Sequence, residues 1–130
     1  MATMKIVSIE TARLLRKHRF NEPIPAHYDP QGALIEHPED GKDKCWNSPA
    51  HDKDPRHKSF AAPTLALAQQ WLREKKRFDI LVDREYFLGK VGRYYARIYR
   101  LRDGAMGETP KFRTYDKALE AGIIRALRAM

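Results

Sequence analysis

The chain has a single cysteine, Cys45, so no internal disulfide can hold it together, and this usage fits a reducing compartment. It also lacks any apolar run approaching the roughly 18 residues of a membrane-spanning helix. Met1 to Glu10 lack the charged, apolar and small-residue succession of a secretory leader. Neither a Gly-x4-Gly-Lys-Ser/Thr phosphate loop nor a Gly-x-Gly-x-x-Gly fingerprint occurs. Its only serines, Ser8, Ser48 and Ser59, sit outside any Gly-x-Ser-x-Gly nucleophile elbow. There is no internal repeat and no low-complexity tract. These absences exclude secreted disulfide scaffolds, helical membrane proteins and the commonest nucleotide-binding and hydrolase signatures. A cytoplasmic single domain spanning 1–130 is the expectation.

What is present is positive charge. Lys and Arg number 25 against 17 Asp and Glu, a formal net charge of +8 in 130 residues. The excess is regional. Residues 1–20 balance at +4 and 84–113 at +5, whereas 36–59 comes to −1. Clustered cations attract phosphates or acidic surfaces, while scattered ones mainly keep a protein soluble.

Periodicity divides the chain into elements. Ser8 can cap a helix over 9–19, with Glu10 at the positive end of its dipole. Tyr28-Asp29-Pro30-Gln31-Gly32 reads as the turn of a β-hairpin over 24–36. Residues 37–59 lose all periodicity and read as a long surface loop. Pro63 opens a second helix over 63–76, whose Leu65, Leu67, Ala68, Trp71 and Leu72 form a broad apolar arc.

Strand-like runs follow at 78–82, 86–101 and 111–113, with a polar break at Asp83-Arg84-Glu85 and a turn at Gly104-Ala105-Met106-Gly107. Alternation puts Tyr94, Ala96 and Ile98 on one sheet face and Tyr95, Arg97 and Tyr99 on the other. Thr114 caps a last helix over 115–129 with one continuous apolar stripe. The sum predicts an α+β fold: a small antiparallel sheet, with or without the 24–36 hairpin, and about three helices packed on it. Leu15, Trp71, Leu72, Leu119, Ile123 and Leu127 should be core.

Four groups of residues could carry chemistry. His37, Cys45, His51 and His57 are potential zinc ligands, but their spacing offers no close chelating pair, and a polar loop containing histidines accounts for them. Asp79, Asp83 and Glu85 alternate as a metal-binding carboxylate set would, yet Phe87 stands where a common nuclease pattern has lysine, and a solvated turn explains the acids. Gly89-Lys90-Val91-Gly92 matches an RNA-clamping Gly-x-x-Gly loop; lying between strands instead of helices, it reads as a turn. The basic aromatic strand (Arg93, Tyr95, Arg97, Tyr99, Arg100, Arg102), with Arg13, Lys17 and Arg19 from the first helix, combines phosphate-neutralising cations with stacking rings. Tyrosine is also simply a good strand former and arginine a good solubiliser.

Ile6 to Leu15, Ala61 to Glu74 with Phe78-Asp79-Ile80, and Phe112 to Gly122 together resemble a group of small proteins of Bacteroides-type bacteria and their phages or prophages. That resemblance implies a phage or mobile-element origin. It transfers no catalytic residue and no activity. The reading that follows is a non-enzymatic, cofactor-free accessory binding module without membrane association. Nucleic acid is the leading partner and an acidic protein the alternative; a zinc-containing or metal-dependent enzyme is the minor one.

Overall fold

The structure, a computed structural model, describes residues 5–37, 40–48, 58–87 and 90–130. Among these residues, three helices and two three-stranded antiparallel sheets make the α+β fold: α1 (Ile9–Lys17), β1 (His27–Tyr28), β2 (Leu34–Ile35), β3 (Phe60–Ala61), α2 (Leu65–Trp71, continued as a π-helical turn Leu72–Lys76), β4 (Phe78–Phe87), β5 (Lys90–Arg100), β6 (Ala105–Glu108) and α3 (Tyr115–Arg128). The chain divides into two compact units, one built by residues 65–130 with Lys5 and the other by 6–64.

In the unit formed by 6–64, Ser8 caps α1 as expected, its hydroxyl accepting from the Thr11 amide. The helix ends at Lys17, two residues early, in a Schellman arrangement. The Phe20 amide bonds the Leu15 carbonyl and the Arg19 amide bonds that of Arg16, with Arg19 at φ +69°. Phe20 and Leu15, both fully buried, supply the hydrophobic contact that accompanies this motif.

The hairpin forms around Asp29, whose carboxylate accepts from the Gln31 and Ala33 amides, and Gly32 at φ +87° completes the turn. It pairs with none of the strands β4, β5 and β6. β1 pairs on its other side with β3, giving the order β2-β1-β3.

Of the expected surface loop at 37–59, residues 38–39 and 49–57 lie outside the described residues, and 40–48 are irregular but anchored at two points. Ile24 and Lys44 exchange both backbone hydrogen bonds, at 3.1 and 3.0 Å. Trp46 is buried, stacks on His27 at 3.6 Å and donates its indole N–H to the Ile24 carbonyl at 2.8 Å. Asn47 donates to the Phe20 carbonyl and accepts from the Ala61 amide. A lone tryptophan in a polar segment is therefore the anchor that pins 40–48, because a large ring with one donor is most stable buried and bonded.

In the other unit β5 is central, flanked by β4 and β6. Phe78, Ile80, Ala96 and Ile98 form the buried face, and α3 packs on it through Gly122. Leu65, Ala68, Trp71, Leu72, Leu119, Ile123 and Leu127 complete that core; with Leu15, buried in the 6–64 unit, all six expected core positions are buried.

Four local expectations change. α2 begins at Leu65, since Pro63 and Thr64 lie in an extended segment: Pro63 accepts from the Val7 amide and Thr64 bridges Ile6. Asp83-Arg84-Glu85 interrupts nothing. β4 runs through it with a register shift between Arg84 and Tyr86, and Gly92 lies so close to the Glu85 carbonyl that a Cβ there would approach to 2.9 Å. The turn after β5 falls at 101–104, with Gly104 at φ +74°, so Ala105 to Glu108 are strand. Of 111–113 only Phe112 pairs, with Tyr94; between it and β6 the Thr109 hydroxyl takes the Ala96 amide in place of a ladder carbonyl. Of the Gly-x-x-Gly segment, Gly89 lies outside the described residues, while Gly92 is in β5.

Candidate functional site

Sheet alternation puts Tyr95, Arg97 and Tyr99 together on the face of β5 opposite α3, as the sequence predicts. That face is not basic. Arg97 donates to the Tyr95 hydroxyl at 2.9 Å and lies 3.6 Å from Asp83 and 3.8 Å from Glu108. The Tyr95 hydroxyl bonded to it, with Tyr99 and Asp83 adding, holds the guanidinium above its ordinary pKa. Lys111 pairs with Glu85 at 3.4 Å and Arg73 with Asp79 at 3.9 Å. Three cations thus meet four acids across this surface. Lys111 also covers the Tyr95 ring at 4.2 Å, so that ring is no open stacking platform. Arg93 is exposed toward the far end of β5. The carboxylates the sequence offered as a metal set are held by cations, Asp79 by Arg73, Asp83 by Arg97 and Glu85 by Lys111.

The cations that gather are at the end of the sheet where Phe78 pairs with Arg100. The π-helical turn closes at Arg77, which takes the left-handed conformation (φ +62°, ψ +38°) and returns its amide to the Leu72 carbonyl. The Arg77 carbonyl accepts from the Leu101 amide at 2.8 Å, and Phe78 pairs with Arg100 in the ladder. These bonds bring Lys76 and Arg77 beside Arg100 and Arg102, around a cleft of about 570 Å³ that Phe78, Leu101, Ala129 and Met130 also line. Arg100 is held by Asp103 in a two-point pair, Nε to Oδ1 at 2.9 Å and Nη2 to Oδ2 at 2.6 Å. Asp103 also accepts from the Ala105 amide. The Arg100 guanidinium, then that amide, push the Asp103 carboxyl down to about 2. Four cations against one carboxylate leave the cleft with three positive charges.

Part of this charge serves the fold. Ala129, at the carbonyl end of α3, lines the same cleft, and that end carries only about half a negative charge. The cations exceed what the helix dipole needs several-fold. An excess of this kind, in a concave site, fits an anionic ligand. Sequence reading missed Lys76 and Arg77 because the Arg73 to Arg77 run reads as ordinary C-terminal helix charge. Only the ladder pairing of Phe78 with Arg100 reveals their company.

In the 6–64 unit, Arg13 and Lys17 are exposed one turn apart on α1, and Arg19 is exposed just beyond it. The Arg13 and Arg16 guanidinium groups both lie 5.8 Å from the Phe60 ring centre. This is a second basic surface, with one acid, Glu10, in the first turn of the helix. Of the zinc candidates, Cys45 is a half-buried free thiol, His37 is exposed, and His51 and His57 lie outside the described residues. Among the described residues no three His, Cys, Asp or Glu side chains lie close enough to hold a metal ion, and no helix is long and apolar enough to cross a membrane.

Compared with protein-family models, with curated proteins and with solved structures, the chain matches none.

Proposed function

We propose that the protein is a non-enzymatic accessory binding module of phage or mobile-element origin that holds nucleic acid by its phosphates. The observation that carries this reading is the cleft where Lys76, Arg77 and Arg102 stand beside an Arg100 paired with Asp103. Guanidinium groups match phosphate oxygens in geometry as well as charge. Arg100 and Arg102 come from the basic strand singled out in the sequence. Arg13, Lys17 and Arg19 offer a second set of backbone contacts; Tyr95, Arg97 and Tyr99 contribute little, because Arg97 is already engaged by Asp83 and Glu108, and Arg93 stands exposed away from the cleft.

The test is fluorescence anisotropy of a labelled oligonucleotide of about twenty nucleotides over a salt series. Three or four neutralised phosphates predict a log K against log salt slope of about −2 to −3 for a single strand. No binding at about 50 mM salt would remove nucleic acid from consideration. Displacement of the oligonucleotide by polyglutamate of matched charge, as effectively as by unlabelled oligonucleotide, would assign the cleft to an acidic protein instead.

Asp103 sets how much of Arg100 the ligand can use. Asp103→Asn removes a competing carboxylate, and affinity should rise roughly three- to tenfold, with the salt slope steeper by up to about 0.7. Unchanged affinity would mean that Arg100 does not reach the ligand. The same change has a pH signature. A carboxyl depressed to about 2 in the folded protein stabilises it above the unfolded value of about 3.9, and that contribution disappears as pH falls toward 2. A thermal-melt series from pH 6 to 2 should therefore show wild type losing slightly more stability than Asp103→Asn over about pH 4 to 2.

A further inference from the structure

Seven large apolar side chains are notably exposed among the described residues: Leu34, Leu81, Tyr86, Leu101, Met106, Tyr115 and Met130. Two of them line one cleft, and a third borders the recess beside it. Leu101 and Met130, 45% and 39% exposed, line the cationic cleft, and Met106, 54% exposed, lines the shallower recess of about 180 Å³ that shares Phe78, Arg100 and Ala129 with it. Arg125, which also borders the recess, donates to the Glu108 carbonyl and lies against Gly107. Exposed apolar surface is normal when scattered; gathered beside unneutralised cations in a concavity, it specifies a ligand with an anionic part and a flat or apolar part.

Resting on the nucleic-acid reading above, we infer that the cleft takes a single-stranded segment: phosphates lie on Lys76, Arg77 and Arg102, and an unpaired base lies against Leu101 and Met130. A duplex satisfies the cations but keeps its base faces stacked inside, leaving Leu101 and Met130 in water. A single strand offers both parts at once, and its base faces bind apolar surfaces whatever the sequence. Methionine suits the task, since its flexible thioether adapts to a ring and is attracted to its edge. A cleft of about 570 Å³ falls within the range of roughly 300–1,000 Å³ typical of small-molecule sites, enough for a nucleotide unit.

The experiment compares three labelled probes of equal length at one salt concentration: oligo-deoxythymidine, an abasic strand with the same phosphates, and a duplex. Oligo-deoxythymidine should bind about tenfold or more tighter than the abasic strand, with the same salt slope. The double variant Leu101→Ser, Met130→Ser should bring oligo-deoxythymidine down to the level of the abasic strand. Both side chains are substantially exposed, and the wild-type probe comparison stands whatever the variant does. Equal binding of the thymidine and abasic strands, or tighter binding of the duplex, overturns the single-strand inference while leaving phosphate recognition intact. Failure of all three probes overturns both readings.

Discussion

Reversing Arg77 and Arg102 together to glutamate will lower oligonucleotide affinity by at least about 100-fold near physiological salt. The double change turns the cleft's three positive charges into one negative, so phosphates are repelled where they were held. Anisotropy with the labelled oligonucleotide reads the loss directly. The matched control reverses Arg93, toward the start of β5, and Arg97, on the strand's other face, where carboxylates at 3.6 and 3.8 Å already engage it. There affinity should change less than about threefold, through long-range screening alone. Equal losses in the two variants would mean that net charge governs binding and the cleft has no privileged role.

Arg77 also allows charge to be separated from folding. At φ +62° a side chain is strained and glycine is not. Arg77→Gly should therefore bind more weakly while its stability stays equal to wild type or up to about 1 kcal/mol higher. A variant that binds weakly because it unfolds would show the opposite melt.

Gly122→Ala will destabilise the protein by about 2 kcal/mol, a fall in Tm of roughly 10 °C, although alanine is the better helix former by about 1 kcal/mol. A Cβ at this position would stand 2.7 Å from the Ala96 Cβ and 2.8 Å from the Ile80 Cγ2, closer than carbon atoms approach. Ala96 cannot rotate away, because its methyl is fixed to the central strand. α3 must then lift from the sheet and lose contact along Leu119, Ile123 and Ala126. Gly122→Val should be worse than alanine by at least about 1 kcal/mol and reduce soluble yield. Circular dichroism melts check both; an alanine variant melting within about 2 °C of wild type would show that the helix seat has slack.

How far the sequence could be read depends on the range of the interactions concerned. α3 was legible because Thr114, Ala118, Leu119, Ile123 and Leu127 form a cap and a 3.6-residue stripe within one segment. Ser8 and the Asp29–Gly32 turn were legible for the same reason, since each satisfies its own neighbours. The continuity of β4 through Asp83-Arg84-Glu85 was not, because the residues that make it a strand lie across the hairpin in β5. Nor was the burial of Trp46 in a charged, proline-containing segment, which depends on Ile24 and His27. The candidate site divides along the same line: Arg100 and Arg102 stood out in a basic strand, whereas Lys76 and Arg77 looked like helix-end charge.

By itself, then, the sequence determined the α+β class, the three helices, the core positions on helical periodicity and the regional excess of positive charge. Tertiary structure alone decided that the strands form two sheets and that the acids of β4 and β6 cancel the charge on the open face of β5. It also decided that the remaining cations meet around Leu101 and Met130. Periodicity and capping are local, so they can be read along the chain. Neutralisation and clustering depend on which side chains a ladder sets a few ångströms apart, and pairing between distant segments is written only in the fold.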